Sequence, residues 1–373
     1  MNFLKRVFDQ SGTRDAALWW LGSRVAVLCI FLAVSVFLPR SVAPRPMHLY
    51  DAEFYIDIAE HGYQWNGDQT LKQNAGFFPL LPLVMKAFAA MGAPADWAGT
   101  VMNNALFLAA LIVLSRLRGM GLSRTQQNIF CFLICFHPAS FYFSIPYTET
   151  MFLLIAALIF FCVERGQFAQ SAALAFLMGM VRSNGWIAGA SVLVAALIQR
   201  RRAGEMWGSL VTAACGFAGT AVFLLFCQLY LGDWSATIKA QYAWGHKQLH
   251  FYQAFISSIG GILRTGEMTH WRVLLDAVWM VATFGVAVAS LVQKRFTLQL
   301  RLFALLSALF PLLMLGGVEV RSTIRYAMVI FPTLAQLAIW CERRVWLRIM
   351  IAVLWISLFV FFTGRVLCAE WVQ

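Results

Sequence analysis

Acidic side chains are scarce in this 373-residue sequence, which holds seventeen Asp and Glu in all. Five of them (Asp51, Glu53, Asp57, Glu60 and Asp68) fall within one stretch of eighteen residues. Carboxylates so placed can take a proton from an attacking hydroxyl, hold sugar hydroxyls, or hold a cation. The order YDAEFYIDIAEHGY over 50–63 predicts a short helix closed by Gly62. Glu53, Asp57 and Glu60 recur at i, i+4 and i+7 and share one face, while Phe54 and Ile58 share another. The plain reading of that stripe is a solvated polar face; the chemical reading makes Glu53 and the neighbouring His61 substrate ligands. Asp51 stands apart at the start of the segment. It suits two roles that spacing does not separate, helix N-cap and general base.

Other polar groups sit at the ends of apolar runs. Ser144-Ile145-Pro146-Tyr147-Thr148-Glu149 joins two of them. Glu149 is readable there as a helix start assisted by Thr148 or as a substrate ligand. Arg182-Ser183-Asn184-Gly185 lies between two short apolar runs. An arginine at mid-bilayer costs roughly 2.5–3.5 kcal/mol, so Arg182 must line a polar cavity or snorkel. Glu319, Arg321, Arg325 and Tyr326 form a similar group, with an outer-loop ion pair of small energetic weight as the plain alternative. Gln241, Trp244, His246 and Lys247 are weaker candidates, because Trp and His at a membrane surface usually form an aromatic belt. Cys131, Cys135 and His137 do not complete a set of four metal ligands, so no metal site is expected from them. What remains is one carboxylate-rich loop and several arginines able to face an anion. That set suits displacement of a phosphate leaving group, the carboxylate deprotonating the incoming hydroxyl and the guanidinium groups holding the phosphate.

The elements that must position these groups are apolar helices. Hydrophobic residues make up 61% of the chain and charged ones 12%, which excludes an ordinary soluble domain, a disordered chain and a disulfide scaffold. Apolar runs fall at about 19–39, 97–115, 127–145, 148–163, 168–182, 185–199, 207–229, 271–292, 297–315, 326–341 and 346–363, which predicts an all-α polytopic membrane protein with about eleven spans. A further run at 77–92 is short, begins with two prolines and carries Lys86. If it does not cross, then Lys5, Arg6 and Arg14 fall on the same side as Arg116, Arg118, Arg200–Arg202, Lys294, Arg295, Arg343 and Arg344. If it crosses, the N-terminal cluster falls opposite all the others. The positive-inside rule prefers the first arrangement. Segment 77–92 is therefore expected to be re-entrant or interfacial, the N-terminus cytoplasmic and the C-terminus outside. Long outer loops then fall at about 40–76 and 230–270, and 1–373 reads as a single membrane domain. The apolar run at 25–38 ends at Pro39-Arg40 without a small-residue cleavage site, so no cleavable signal is expected.

The net charge of +12 comes from 29 Lys and Arg scattered in twos and threes, which reports orientation and gives no basis for nucleic-acid binding. Seven of the eight cysteines lie in apolar runs and only Cys368 in a tail, so no disulfide framework is implied. The phosphate loop G-x-x-x-x-G-K-[ST], the nucleophile elbow G-x-S-x-G and the zinc motif H-E-x-x-H are absent. Two active function classes stay in play, beside a non-catalytic membrane partner of an enzyme complex. One is a surface-acting transferase. The other is a transporter or flippase of lipid-linked sugars, which calls for ionisable groups along several spans. Among the acidic residues only Asp276 lies well inside a span.

Taken in order, these motifs resemble a family. Tyr50-Asp51-x-x-Phe54-Tyr55-x-x-Ile58-Ala59-x-x-Gly62-Tyr63 and Phe77-Phe78-Pro79-Leu80-Leu81-Pro82 are similar to the opening signature of the PIG-V family. These are the GPI mannosyltransferase 2-like members of the glycosyltransferase-C superfamily. Ser144-x-x-Tyr147-Thr148-Glu149, Arg182-Ser183-Asn184-Gly185, Arg325-Tyr326 and Phe331-Pro332 follow in the family's order. The departures are Tyr50, where the family usually has Trp, and a rather short chain. The resemblance implies a glycosyltransferase-C-like fold with its active site on the luminal or periplasmic face. It implies mannose as the sugar, a polyprenyl- or dolichyl-phosphate donor, inversion at the anomeric carbon, and a glycan, glycolipid or protein acceptor. Asp51 becomes the base, Arg182 and Arg325 the phosphate-binding groups, and Glu149, Asn184 and Tyr326 ligands of donor or acceptor hydroxyls. No cofactor is required by it, although a carboxylate-rich loop is compatible with Mg²⁺ or Mn²⁺. The expected setting is a bacterial inner membrane with the site facing the periplasm, or the endoplasmic reticulum membrane for a eukaryotic source.

Overall fold

The computed structural model of the protein describes residues 11–37, 46–244, 268–314 and 322–367. His246, Lys247, Glu319 and Arg321 lie outside the described residues, as do Lys5, Arg6, Pro39, Arg40 and Cys368. Each apolar run of the sequence contains helix, and no strand occurs among the described residues. The chain order is α1 (Ser11–Phe37), α2 (Asp51–His61), α3 (Leu80–Ala89), α4 (Ala95–Ser115), α5 (Arg124–Cys135), α6 (Glu149–Val163), α7 (Phe168–Gly179) and α8 (Ile187–Ile198). It continues with α9 (Ala203–Phe226), α10 (Ala236–Ala240), α11 (Met268–Leu291), α12 (Leu298–Met314), α13 (Thr323–Ala327), α14 (Phe331–Arg343) and α15 (Val345–Leu367).

Length separates these helices into two groups. Five are long and apolar enough to cross a membrane: α1, α4, α9 with its continuation to Leu231, α11 and α15. The protein is a multi-pass integral membrane protein. The apolar helices α3, α6, α7, α8 and α12 have 10–17 residues. At 1.5 Å per residue a twelve-residue helix is about 18 Å long, against about 30 Å of hydrocarbon, so such helices do not cross unaided. Two predicted runs are interrupted. Run 127–145 is α5 followed by the separate 3₁₀ turn Ser140–Ser144, and run 326–341 breaks after α13 before α14 restarts at Phe331-Pro332. Irregular backbone at membrane depth is tolerated where protein surrounds it, and these interruptions adjoin the most buried part of the chain. There α6 is buried on almost every face, and Phe160 meets Phe303 of α12 and Phe331 of α14 with ring centroids 5.2 and 6.2 Å apart.

Helices α2 and α3 form a small platform against this core. Helix α3 has ten residues, about 15 Å of rise, roughly half the thickness of the hydrocarbon core. Helix α2 buries Ala52, Tyr55, Ile56, Ile58 and Ala59. Phe54 stacks on Phe77 at 4.8 Å and Tyr55 meets the same ring edge-on at 5.1 Å. Such aromatic pairs contribute about 0.5–1.5 kcal/mol each beyond area burial. Gly62 ends α2 at φ 84°, a conformation that costs a side-chain-bearing residue, and lets the chain fold back. The returning loop is pinned by Asn74, whose Nδ2 donates to Asp57 Oδ2 at 2.6 Å and to the Gly62 carbonyl at 3.0 Å. In turn Gln241 Nε2 donates to the Gly76 carbonyl at 2.9 Å, fastening the second long loop to the first.

Candidate active site

Asp51 is the first residue of α2, and the N-cap position belongs to Tyr50, which makes no side-chain cap bond. The capping role that the sequence left open for Asp51 is therefore not the one it fills. Tyr50 itself is held at φ 54°, ψ −116°, a strained conformation for a residue with a Cβ. The cause is a clamp from a distant loop. The Tyr147 hydroxyl donates to the Leu49 carbonyl at 3.2 Å and accepts from the Asp51 N–H at 3.1 Å, so the residues on both sides of Tyr50 are tied to one oxygen. Backbone strain of this kind persists only where the surroundings over-determine it, and here it fixes the carboxylate of Asp51.

That carboxylate faces Arg325 of α13, whose Nη1 donates to Asp51 Oδ2 at 2.7 Å. Arg325 Nε lies 3.0 Å from Glu149 Oε1, and Arg182 Nη1 donates to the same Oε1 at 2.8 Å. Four charges thus form a continuous chain: Asp51, Arg325, Glu149, Arg182. Glu149, at the start of α6, is 1% exposed, against 12% for each arginine and 16% for Asp51. Glu149 Oε2 is buried without a hydrogen-bond partner, as is Asn184 Oδ1. Tyr326 completes the wall: Arg182 lies over its ring at 4.8 Å and Arg325 at 5.5 Å from the centroid. Burial opposes the charge on Arg325, but the carboxylates of Glu149 and Asp51 outweigh it and hold its pKa well above the usual value. Burial first, and then the charge of Asp51, raises the phenols of Tyr55 and Tyr147, so both stay protonated and do not serve as bases.

The loop bearing Arg182 owes its place to a close approach. A Cβ on Gly185 would strike the Met178 carbonyl, so only glycine lets 182–185 fold against the end of α7. The loop bearing Tyr147 is held by two polar groups that sequence reasoning did not single out. Asn103 of α4 donates from Nδ2 to the carbonyls of Ile145 and, at 2.8 Å, Tyr147. Arg24 of α1 donates from Nη1 to the Ser140 carbonyl at 3.2 Å and to Ser144 Oγ at 2.6 Å. A polar side chain inside a predicted span is the signal that points to such anchors. Asp276, which the sequence did single out, anchors α13 in the same way: its carboxylate accepts from the N–H groups of Ser322 and Thr323.

Of the predicted site residues, Asp51, Glu149, Arg182, Arg325 and Tyr326 are brought together, although they come from α2, α6, the loop after α7, and α13. Asn184 shares the loop of Arg182. Glu53 and Glu60 are exposed, and Asp57 is divided between Asn74 and His61. His61 is exposed on its side chain and pairs with Asp57 at 3.0 Å. Among the described residues no group of three or more His, Cys, Asp or Glu side chains is arranged to hold a metal ion. Both carboxylates of the cluster are bonded to guanidinium groups, which supply the countercharge a cation would.

Comparison with known proteins bears on this arrangement. The family model described as mannosyltransferase (PIG-V) matches residues 31–228, just over half of the chain. The matched stretch holds Asp51, Glu149 and Arg182, while Arg325 lies beyond it. The human protein GPI alpha-1,6-mannosyltransferase 2 is 29% identical over 150 residues, covering 37% of this chain. The rat protein of the same name is 28% identical over 149 residues, with 37% of this chain covered. The match spans 29% of the length of each relative. Among solved structures, the oligosaccharyltransferase of Archaeoglobus fulgidus in its apo form aligns with a TM-score of 0.46 at 12% identity, over 94% of this chain and 56% of that one.

Proposed function

From the premise that the chain belongs to the mannosyltransferase (PIG-V) family, we propose that it moves a mannosyl unit from a polyprenyl- or dolichyl-phosphate donor to an acceptor hydroxyl at the extracytoplasmic face of its membrane. The observation that carries this reading is the Asp51–Arg325–Glu149–Arg182 chain, buried at the platform of α2 and flanked by tyrosines. Its chemistry balances for displacement at an anomeric carbon. The acceptor oxygen forms the new bond to C1 as the bond from C1 to the phosphate oxygen breaks, and attack opposite the leaving group inverts the centre. The acceptor proton passes to Asp51.

Charge is conserved within the site during that step. Two carboxylates and two guanidinium groups make the cluster neutral at rest. Protonation of Asp51 removes one negative charge and releases Arg325 from one of its two carboxylate partners. At the same moment the departing phosphate gains one negative charge, passing from a diester to a monoester. Arg325 and Arg182 are the groups that meet it, and charge-assisted bonds of this kind are roughly twice as strong as neutral ones. Glu149 Oε2 and Asn184 Oδ1, which lack partners, accept bonds from sugar hydroxyls. Arg182 and Arg325 supply the positive charge at the phosphate, so Mg²⁺ or Mn²⁺ has no assigned place. Transport of a lipid-linked sugar is less well supported, because Asp276, the acidic residue inside a span, is consumed by internal backbone bonds.

The test is transfer by purified protein in proteoliposomes, with polyprenyl-phosphate mannose as donor and product read by mass spectrometry. Asp51→Asn keeps size and hydrogen bonding but removes the base. The expected result is a fall in kcat of about 10³-fold, within the usual range for loss of a general base. Near-normal transfer by that variant would refute the role of Asp51. Movement of labelled donor lipid across the bilayer with no new glycosidic bond would favour the transporter.

A further inference from the structure

Asp276 is 4% exposed on α11, 46 residues before Ser322. Its Oδ1 accepts from Thr323 N–H at 2.8 Å and from Thr323 Oγ1 at 2.7 Å, and its Oδ2 accepts from Ser322 N–H at 3.2 Å. Thr323 Oγ1 also approaches the Asp276 carbonyl at 2.6 Å. Ser322 occupies the N-cap of α13 in a left-handed conformation, φ 59°, ψ 22°, and its own side chain caps nothing. The N–H groups at the head of α13 are therefore satisfied from another helix. Ser322 in turn accepts at its carbonyl from Arg325 N–H at 3.0 Å and Tyr326 N–H at 3.3 Å. Arg325, whose guanidinium spans Asp51 and Glu149, follows Ser322 by three positions and Thr323 by two.

We propose that Asp276 is a positioning residue for the transfer reaction: by holding Ser322 and Thr323 it fixes the height and rotation of the single turn that presents Arg325 and Tyr326 to the reacting groups. Helix α13 has five residues, too few to be stable alone. Nothing in its own sequence caps it, and its left-handed entry at Ser322 is a conformation that needs external support. A carboxylate, with two oxygens, accepts from several donors at once, which an amide oxygen cannot match. The arrangement explains why a carboxylate stands inside an apolar helix where an ionisable group is costly. Misplacement of a binding group by about 1 Å costs on the order of 10²-fold in rate, so the consequence for catalysis is large although Asp276 touches no reacting atom.

This inference rests on the transferase reading, and one pair of measurements keeps the two separable. Hydrogen–deuterium exchange of the full-length protein in detergent or nanodiscs reads the Asp276 bonds directly, without any reaction. In Asp276→Leu the peptide covering 322–327 is expected to exchange at least tenfold faster, while peptides of α6 and α14 keep their wild-type protection. In the transfer assay, kcat per folded molecule is expected to fall 10- to 100-fold with the donor KM changed less than threefold. Asp276→Asn restores one acceptor and part of both effects. Thr323→Val removes the hydroxyl donor and gives the same pattern more weakly, which keeps the question open to measurement if Asp276→Leu does not fold. Unchanged exchange at 322–327 overturns the proposal, as does a folded variant with wild-type kcat. If wild-type protein forms no glycosidic bond, the transferase reading fails while the exchange result still decides whether Asp276 holds α13.

Discussion

Glu149 and Asp51 both meet Arg325, yet their surroundings assign them different weights. Glu149 is buried almost completely and takes both arginines on one oxygen, whereas Asp51 retains access to solvent and engages one. Removing one member of a buried ionic network leaves the rest uncompensated, at a cost of about 3–5 kcal/mol. Glu149→Gln is accordingly expected to destabilise the protein by about 3 kcal/mol or more. Asp51→Asn, partly wetted, is expected to cost less than half of that. Thermal melts of the two variants in the same detergent check the order, and equal melting temperatures would contradict it. Sequence reasoning reached all four charged residues; spacing left Asp51 divided between cap and base, and only the family resemblance favoured the base. What it lacked was Tyr147, whose hydroxyl sets the turn at Tyr50 and leaves the carboxylate free for Arg325.

At the scale of elements, the site is made from helix ends and the turns between them. Helix α6 contributes its first residue, α2 its first, α13 its third, and the loop after α7 contributes Arg182. Gly185 is the contact on which that loop depends. Gly185→Ala places a methyl group against the Met178 carbonyl, and relief requires a shift of the loop backbone. Overpacking of this sort costs about 1–3 kcal/mol. The expected outcome is a lower melting temperature together with a rise in donor KM, because Arg182 moves with the loop. A fall in stability with KM unchanged would show that the loop relaxes away from Arg182. Helix existence was legible from apolar periodicity for every run. Helix length was not, because a run of apolar residues reads the same whether it is one helix or a helix, a 3₁₀ turn and another helix, as over 124–144.

For the whole molecule, we propose from the distribution of basic residues that the charge chain opens away from the cytoplasm. Cysteine scanning tests this on intact cells or right-side-out vesicles with a membrane-impermeant thiol reagent. A cysteine at Glu53, exposed on α2, is expected to label from outside, and one at Arg201, in the Arg200–Arg202 turn, only after permeabilisation. The reverse pattern would invert the topology. Among the described residues, five helices are long and apolar enough to cross the membrane.

The sequence by itself determined that the chain is a helical membrane protein, which runs contain helix, that its carboxylates concentrate before α3, and which family its ordered motifs resemble. Those properties are local or compositional, and residue order records them directly. Only the tertiary structure decided that Asp51 meets Arg325 across 274 residues, that Glu149 binds two arginines, and that Asp276 serves the turn carrying Arg325. Each of these depends on how helices pack in depth and rotation. A two-residue change in where a helix ends would point the same side chain elsewhere, and nothing in a single apolar run states where it ends.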